Sequence, residues 1–234
     1  MKQTLIITGA SKGIGLATAT LFASRGYKVV NLSRSACPLD AATNIKIDLA
    51  KDYDEAQLGA ELRALIEPQN QITLVHNAAA MTQDTVADLA AASLRSTLEL
   101  NVVAASVLNR LLLPQMAAGS SIIYISSTLG TKAVANRHAY VVSKHAVIGQ
   151  MRATCQDLVG KGVHTAAICP GFTETEMLAE HLGANPGVRE QIAGQVVMGR
   201  LVEPSEIADS VWFAAQHAVI NGAVLHANLG QVER

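Results

Sequence analysis

The chain of 234 residues predicts a single doubly wound α/β domain, a parallel sheet of about seven strands with helices on both faces. Three observations carry that expectation. Short β-rich runs alternate with longer helical patterns from end to end, which implies right-handed crossovers between parallel strands. The strand runs are almost wholly apolar, as they are when helices cover both sides of a sheet. Three glycines, Gly9, Gly13 and Gly15, fall at the first junction between strand and helix.

The elements follow in order. Thr4 to Thr8 forms the first strand and residues 14–25 the first helix. Lys28 to Leu32 and Ile45 to Ile47 give two further strands, and residues 53–66 a helix. Ile72 to His76 is followed by a long helix over 92–117. Ser121 to Ser126 is followed by a helix over 139–159. Val163 to Ile168, a helix over 204–216 and Ala223 to Ala227 complete the pattern. No repeat or interdomain linker interrupts it, so residues 1–234 read as one domain. Half of the residues are hydrophobic, enough for one well-buried core and too few for two.

One stretch breaks the rhythm. Between 170 and 200 lie Pro170, Gly171, Gly183, Pro186, Gly187, Gly194 and Gly199, with Phe172, Met177, Leu178, Leu182, Ile192 and Val196 scattered among them. It follows the end of a strand, where open α/β sheets bind ligands. It reads as a substrate lid.

Composition excludes several classes. The net charge of -1 provides no basic field for nucleic acid or a membrane surface. Three cysteines, Cys37, Cys155 and Cys169, are odd in number and lack a C-x-x-C, which fits reduced, mostly buried thiols in a cytoplasmic protein. The apolar run Leu5 to Ile7 is too short for a signal peptide, and no apolar stretch reads as long enough to span a membrane. The seven histidines show neither H-x-x-x-H nor H-E-x-x-H, so no metal site is expected. His138, with Arg137 and Lys132, stands two residues before Tyr140 and reads either as a basic rim to a site or as a solvated loop.

The glycine turn is suited to a dinucleotide. Missing β-carbons permit a tight turn and close approach of backbone to a pyrophosphate, and the following helix offers free N–H groups and a favourable dipole. At the end of the second strand, sites for NAD usually carry an acid. Here the chain reads Asn31-Leu32-Ser33-Arg34-Ser35. Arg34 is placed to clamp a 2′-phosphate with its planar fork, and Lys12 adds a second cation. The expectation is NADP(H).

Tyr140 and Lys144 share one helix face at i and i+4, and Ser127 lies 13 residues before the tyrosine, at a strand end. A phenol with a free pKa of about 10 is a poor acid–base catalyst. A nearby ammonium favours its ionised form. Serine, tyrosine and lysine in this order, after a glycine turn, point to proton transfer coupled to hydride transfer.

These pieces together resemble the short-chain dehydrogenase/reductase family over essentially the whole chain. The matching segments are Thr8-Gly9-Ala10-Ser11-Lys12-Gly13-Ile14-Gly15, Asp48-Leu49, Asn77-Ala78-Ala79, Asn101, Ile125-Ser126-Ser127, Tyr140-Val141-Val142-Ser143-Lys144 and Pro170-Gly171-Phe172-Thr173-Glu174-Thr175. The C-terminal half is most similar to the 3-oxoacyl-acyl-carrier-protein reductase branch. The resemblance implies that Tyr140 is the general acid/base, that Ser127 holds the carbonyl oxygen, and that Lys144 binds the nicotinamide ribose and lowers the tyrosine's pKa. It implies that Asn101 supports a water serving Lys144. Asp48, Leu49 and the strand end at Asn77 would contact the adenine side, and the turn from Pro170 to Thr175 would hold the carboxamide. A homodimer or homotetramer paired through the helices beginning near Ala92 and Ala139 is also implied, with a carbonyl or alcohol as substrate. A redox sensor without catalysis and an epimerase or dehydratase remain alternative uses of the scaffold.

The chain departs from the family pattern in places. Ala79 stands where the family has glycine, which implies either strain at positive φ or a narrower pocket. Thr173 replaces a frequent isoleucine. The C-terminal stretch reads Asn228-Leu229-Gly230, where relatives often have Asp-Gly-Gly. Without the resemblance, Asn101 reads equally as the pin of a helix bend, and Asp48 as a turn residue.

Overall fold

A computed structural model describes residues 3–67, 70–182 and 186–231. Of the glycines in the region read as a lid, Gly183 lies outside the described residues. Seven parallel strands form one sheet in the order β3-β2-β1-β4-β5-β6-β7: β1 (Gln3–Thr8), β2 (Lys28–Ser33), β3 (Ala42–Lys46), β4 (Gln71–His76), β5 (Ser121–Ile125), β6 (His164–Pro170) and β7 (Val224–Ala227). The order reverses between β1 and β4, and this is where a doubly wound sheet opens its binding crevice. The expected third strand is displaced: Ala42–Lys46 pairs with β2, from Val29 opposite Ala42 to Ser33 opposite Lys46.

Strand alternation divides the core. Leu5 and Ile7 pack with Ala19 and Phe22 of α1 (Gly13–Ser24) and with Ile207, Val211 and Ala214 of α8 (Pro204–Gln216). Ile6, between them, faces the opposite cluster. That cluster holds Leu58 and Leu62 of α2 (Glu55–Leu65), Leu108 and Leu112 of α4 (Ala104–Leu112), and Val147 and Met151 of α5 (His138–Asp157). The period of two in the strand thus feeds two helical layers.

The long helix expected over 92–117 is a composite. α3 (Ala91–Leu98) passes through a π turn, Glu99–Val103, into α4 and ends in a 3-10 turn at Leu113–Gln115. Ala91–Gln115 has a window of mean hydropathy 1.2 and, by length and composition only, is long and apolar enough to cross a membrane. This corrects the expectation that no stretch reaches that length. Its buried residues, Leu108 and Leu112 among them, join the core against the sheet.

The stretch between 170 and 200 contains two short helices that its glycines and prolines concealed, α6 (Glu176–Leu182) and α7 (Pro186–Ala193). Its base is fixed by backbone bonds: Val202 N donates to Phe172 O at 2.8 Å and Glu174 N to Val202 O at 2.9 Å.

Candidate active site

The glycine turn is held from both flanks. Thr8 Oγ1 accepts from Asn77 N at 3.0 Å and from Ala78 N at 2.9 Å. Asn77 Nδ2 donates to the carbonyls of Thr8 and Gly9, each at 3.0 Å. On the other side Gly9 N donates to Leu32 O at 3.0 Å, and Ala10 N to Asn31 Oδ1 at 2.9 Å. Asn31 is fully buried and donates to Asn44 Oδ1 at 2.8 Å. In the sequence Asn31 is a lone amide inside an apolar run, and buried amides find partners.

Glycine is required at Gly15 by space. A β-carbon there would stand 2.1 Å from Gly9 O and 2.6 Å from Asn77 Nδ2. Gly15→Ala is therefore expected to spread the turn, break its link to Asn77 and cost about 3 kcal/mol, the upper range for overpacking. Urea unfolding measures this, and dinucleotide binding should weaken in parallel. An alanine variant of wild-type stability would show that the turn relaxes without strain.

Gly9 and Gly13 sit at φ +73° and +56°. Ala79 does not share that conformation. Among the described residues, the non-glycine residues at positive φ are Asn136 and Leu229. Strain from a left-handed backbone at Ala79 is thereby excluded. The strain appears at Leu229, φ +52°, where the family pattern has glycine; a left-handed backbone costs an L-residue about 1–2 kcal/mol.

Ser33 ends β2 beside this turn, and Arg34, exposed, follows it. Ser11 is half-buried in the turn, and Ile14 packs on the α1 side of the core. Lys12 lies 3.6 Å from Glu180 of α6, an exposed pair worth little. Thr175 reaches the turn as well: a β-carbon on Gly13 would meet its Cγ2 at 3.2 Å. The turn after β6 is self-bonded. Gly171 N donates to Ala227 O at 3.0 Å, and Thr173 Oγ1 to Gly171 O at 3.0 Å. Asp48 accepts from Ala50 N at 3.2 Å, as a turn residue does, while Leu49 is buried next to the site.

Ser127, Tyr140, Lys144 and Asn101 come together beyond the end of β5. Ser127 caps the 3-10 turn Thr128–Gly130, accepting from Leu129 N at 3.1 Å, and its hydroxyl lies beside the Tyr140 phenol. Tyr140 and Lys144 are both buried. Lys144 Nζ donates to Ile125 O at 2.8 Å and lies 5.5 Å from the Tyr140 ring centroid. Burial pushes the Tyr140 phenol up to about 12, against the opposing effect of the Ser127 hydroxyl. Burial brings Lys144 down to about 8. The expectation that Lys144 lowers the tyrosine's pKa is corrected: burial, not the lysine, sets the direction. Its ammonium is turned to a backbone carbonyl, and desolvation decides.

Asn101 lies in the π turn, as such turns often do at functional sites. Its Oδ1 accepts from Ala80 N at 2.8 Å, and its Nδ2 donates to Ala80 O at 3.0 Å and to Ser143 Oγ at 2.9 Å. Ser143 Oγ donates to Tyr140 O at 2.8 Å. Asn101 thus pins the helix bend and ties the segment after β4 to α5. Asp84, which no sequence motif marks, does the same at the start of that helix. It is buried, accepts from Ala139 N at 2.9 Å and from Thr82 Oγ1 at 2.6 Å, and supplies the cap that Arg137 lacks. A carboxylate at a helix N-terminus is favourable. Arg137 donates to Asn136 O at 2.9 Å, and His138 is exposed.

A parallel sheet that reverses at a glycine turn, with a serine, a tyrosine and a lysine gathered at its carboxyl end, defines a dinucleotide-dependent oxidoreductase. A family profile described as enoyl-(acyl carrier protein) reductase matches residues 9–231, and the chain belongs to the short-chain dehydrogenase/reductase family. It is 30% identical to 2-(R)-hydroxypropyl-CoM dehydrogenase of Xanthobacter autotrophicus, over 96% of each chain. It is also 30% identical to a 3-oxoacyl-[acyl-carrier-protein] reductase of Vibrio cholerae, over 96% of this chain and 95% of that one. The aldohexose dehydrogenase of Thermoplasma acidophilum superposes with a TM-score of 0.89 at 25% identity, covering 98% of this chain and 94% of its own. Family members bind nicotinamide cofactors and act on CH–OH/C=O pairs.

Proposed function

We propose that this protein is an NADP(H)-dependent oxidoreductase that interconverts a carbonyl compound and its alcohol. The observation that carries the reading is the buried Tyr140 phenol, beside Ser127 and with Lys144 on the same helix face. The glycine turn fits a dinucleotide: its Gly15 position has no room for a side chain, and the N-terminus of α1 opens beside it. Gly9, Ser11, Lys12, Gly13, Ile14 and Gly15 would hold the pyrophosphate side. Ser33, Arg34, Asp48, Leu49, Asn77, Ala78 and Ala79 would hold the adenosine side. Tyr140, Lys144, Pro170, Gly171, Thr173 and Thr175 would hold the nicotinamide side.

When bound, the reduced nicotinamide supplies a hydride to the carbonyl carbon. Ser127 donates a hydrogen bond to the carbonyl oxygen and stabilises the charge that develops there. Tyr140 delivers its proton to the same oxygen; its high pKa keeps that proton in place at neutral pH. Lys144 provides the adjacent positive charge. α6 and α7 act as the lid, supported by the approach of Thr175 to Gly13 and by the pair Lys12 and Glu180. The half-buried Phe172, Met177 and Leu178 suit a moderately hydrophobic carbonyl substrate, and a 3-oxoacyl thioester heads the panel to be screened.

Preference for the phosphorylated cofactor rests on Arg34, exposed and without an ion-pair partner among the described residues, and on the lack of an acid at the end of β2. Titration with NADPH and with NADH, followed by nicotinamide fluorescence, tests it. Arg34→Asp is expected to weaken NADPH binding about 10- to 100-fold, the value of a charge-assisted contact, with little effect on NADH. Equal binding of both by the wild type would remove Arg34 from the site. Exposed Val103 and Val142, on the helical layer built by the π turn, α4 and α5, favour pairing of two copies there, which light scattering reads. Free thiols at all three cysteines agree with a cytoplasmic setting.

A further inference from the structure

Beneath Lys144 lies a small cavity of about 10 Å³, bordered by His76, Asn101, Tyr124, Ile125 and Lys144 among others. That is close to the smallest space that accepts one water. His76, at the end of β4, is buried, and its ring nitrogens have different surroundings. Nε2 lies 2.8 Å from Asn109 Oδ1, and Asn109 Nδ2 donates to Tyr124 Oη at 2.6 Å. Because the amide nitrogen is committed to Tyr124, its oxygen accepts, so His76 carries its proton on Nε2. The line continues from Tyr124 Oη to Thr154 Oγ1 at 2.9 Å. Nδ1 is left as a lone-pair nitrogen, and among the described residues no protein group donates to it.

We infer that His76 is a positioning residue: through Nδ1 it accepts from a water in this cavity and so holds that water against the Lys144 ammonium. The residues bordering the cavity include a lysine that donates, a histidine whose Nδ1 can accept, and Ile125, whose carbonyl Lys144 already engages. A second solvation contact keeps charge on a lysine that burial disfavours. His76 itself stays neutral at neutral pH, since burial brings it down to about 4. The titratable groups around Lys144 and the cavity are Tyr140 on its own helix, Cys169 on β6, His76 on β4 and Tyr124 on β5, which also presents the Ile125 carbonyl. The consequence for turnover rests on the proposed function; the measurements below use no substrate.

Two substitutions separate the ring nitrogens. His76→Asn keeps an acceptor where Nδ1 stands and loses the contact with Asn109. His76→Gln keeps a donor to Asn109 and loses the acceptor. The readout is the pH at which stability to urea begins to rise as Lys144 loses its proton, with Lys144→Met as the background. His76→Gln is expected to lower that midpoint by about one pH unit, a tenfold change in proton affinity, and His76→Asn to leave it in place. An unmoved midpoint in His76→Gln, or an equal fall in both variants, overturns the inference. Nitrogen-15 NMR of histidine-labelled wild type decides independently of how the variants fold. The His76 spectrum should show a protonated Nε2 and an unprotonated Nδ1 accepting a hydrogen bond, and a protonated Nδ1 would overturn it. Loss of the proposed oxidoreductase activity as a reading would leave both measurements standing.

Discussion

Tyr140→Phe is expected to lower carbonyl reduction by a factor on the order of 10³, within the range that a positioned proton donor contributes, while NADPH binds almost as before. The phenol is the acidic proton at the site. Ser127 retains its bond from Leu129 N without it, and a phenylalanine ring fills the same buried space. Steady-state turnover and fluorescence titration on the same preparation separate the two effects. Near-normal turnover would falsify the assignment of Tyr140 as the acid. The pH dependence follows from burial. With the phenol held up to about 12, the protonated form needed for reduction persists through neutral pH. Oxidation needs the phenolate, so its rate should climb with pH well past neutrality.

Lys144→Met is expected to abolish most turnover and yet make the ligand-free protein more stable at pH 7. The lysine's folded pKa of about 8 lies below its ordinary value of 10.5. Between those values the unfolded chain binds more protons than the native one, so wild-type stability rises with pH from about 8 to 10.5. Below pH 8 the full burial penalty applies, on the order of 3 kcal/mol. Methionine removes that penalty but leaves Ile125 O without its donor, at about 1 kcal/mol. The net gain should be about 2 kcal/mol at pH 7 and should disappear by pH 10.5. Tyr140 acts with the opposite sign. Its raised pKa means that the native state holds a proton the unfolded chain releases, so stability falls from about pH 10 to 12. Urea unfolding across this range would show a maximum near pH 10 in the wild type. Less stability in Lys144→Met than in wild type at pH 7 would mean that the lysine is better solvated than its burial implies. A residue that costs stability and is retained is expected where function needs it.

The lid shows where local pattern fails. Glycines and prolines between 170 and 200 hid α6 and α7, because short helices draw their stability from what they pack on more than from propensity. Thr175 against Gly13 and the ladder between Phe172 and Val202 are contacts between segments far apart in the chain. The long helix over 92–117 was legible as a helix. Its π turn was not, because the bend is set by Asn101 reaching to Ala80 and Ser143.

The sequence by itself determined the layered sheet, since apolar strands with period two and helices between them admit few arrangements. It also determined the positions of the glycine turn and of Ser127, Tyr140 and Lys144, whose spacing is local. Only the tertiary structure decided what those groups experience. Whether an ammonium faces a phenol or a carbonyl, and whether position 79 or position 229 takes a left-handed backbone, depends on neighbours contributed by other strands. Lys144 meets Ile125 across β5, Tyr140 meets Ser127 across a turn, and His76 meets Asn109 from the next helix. Burial and partner geometry set charge states there, and no one-dimensional pattern records either.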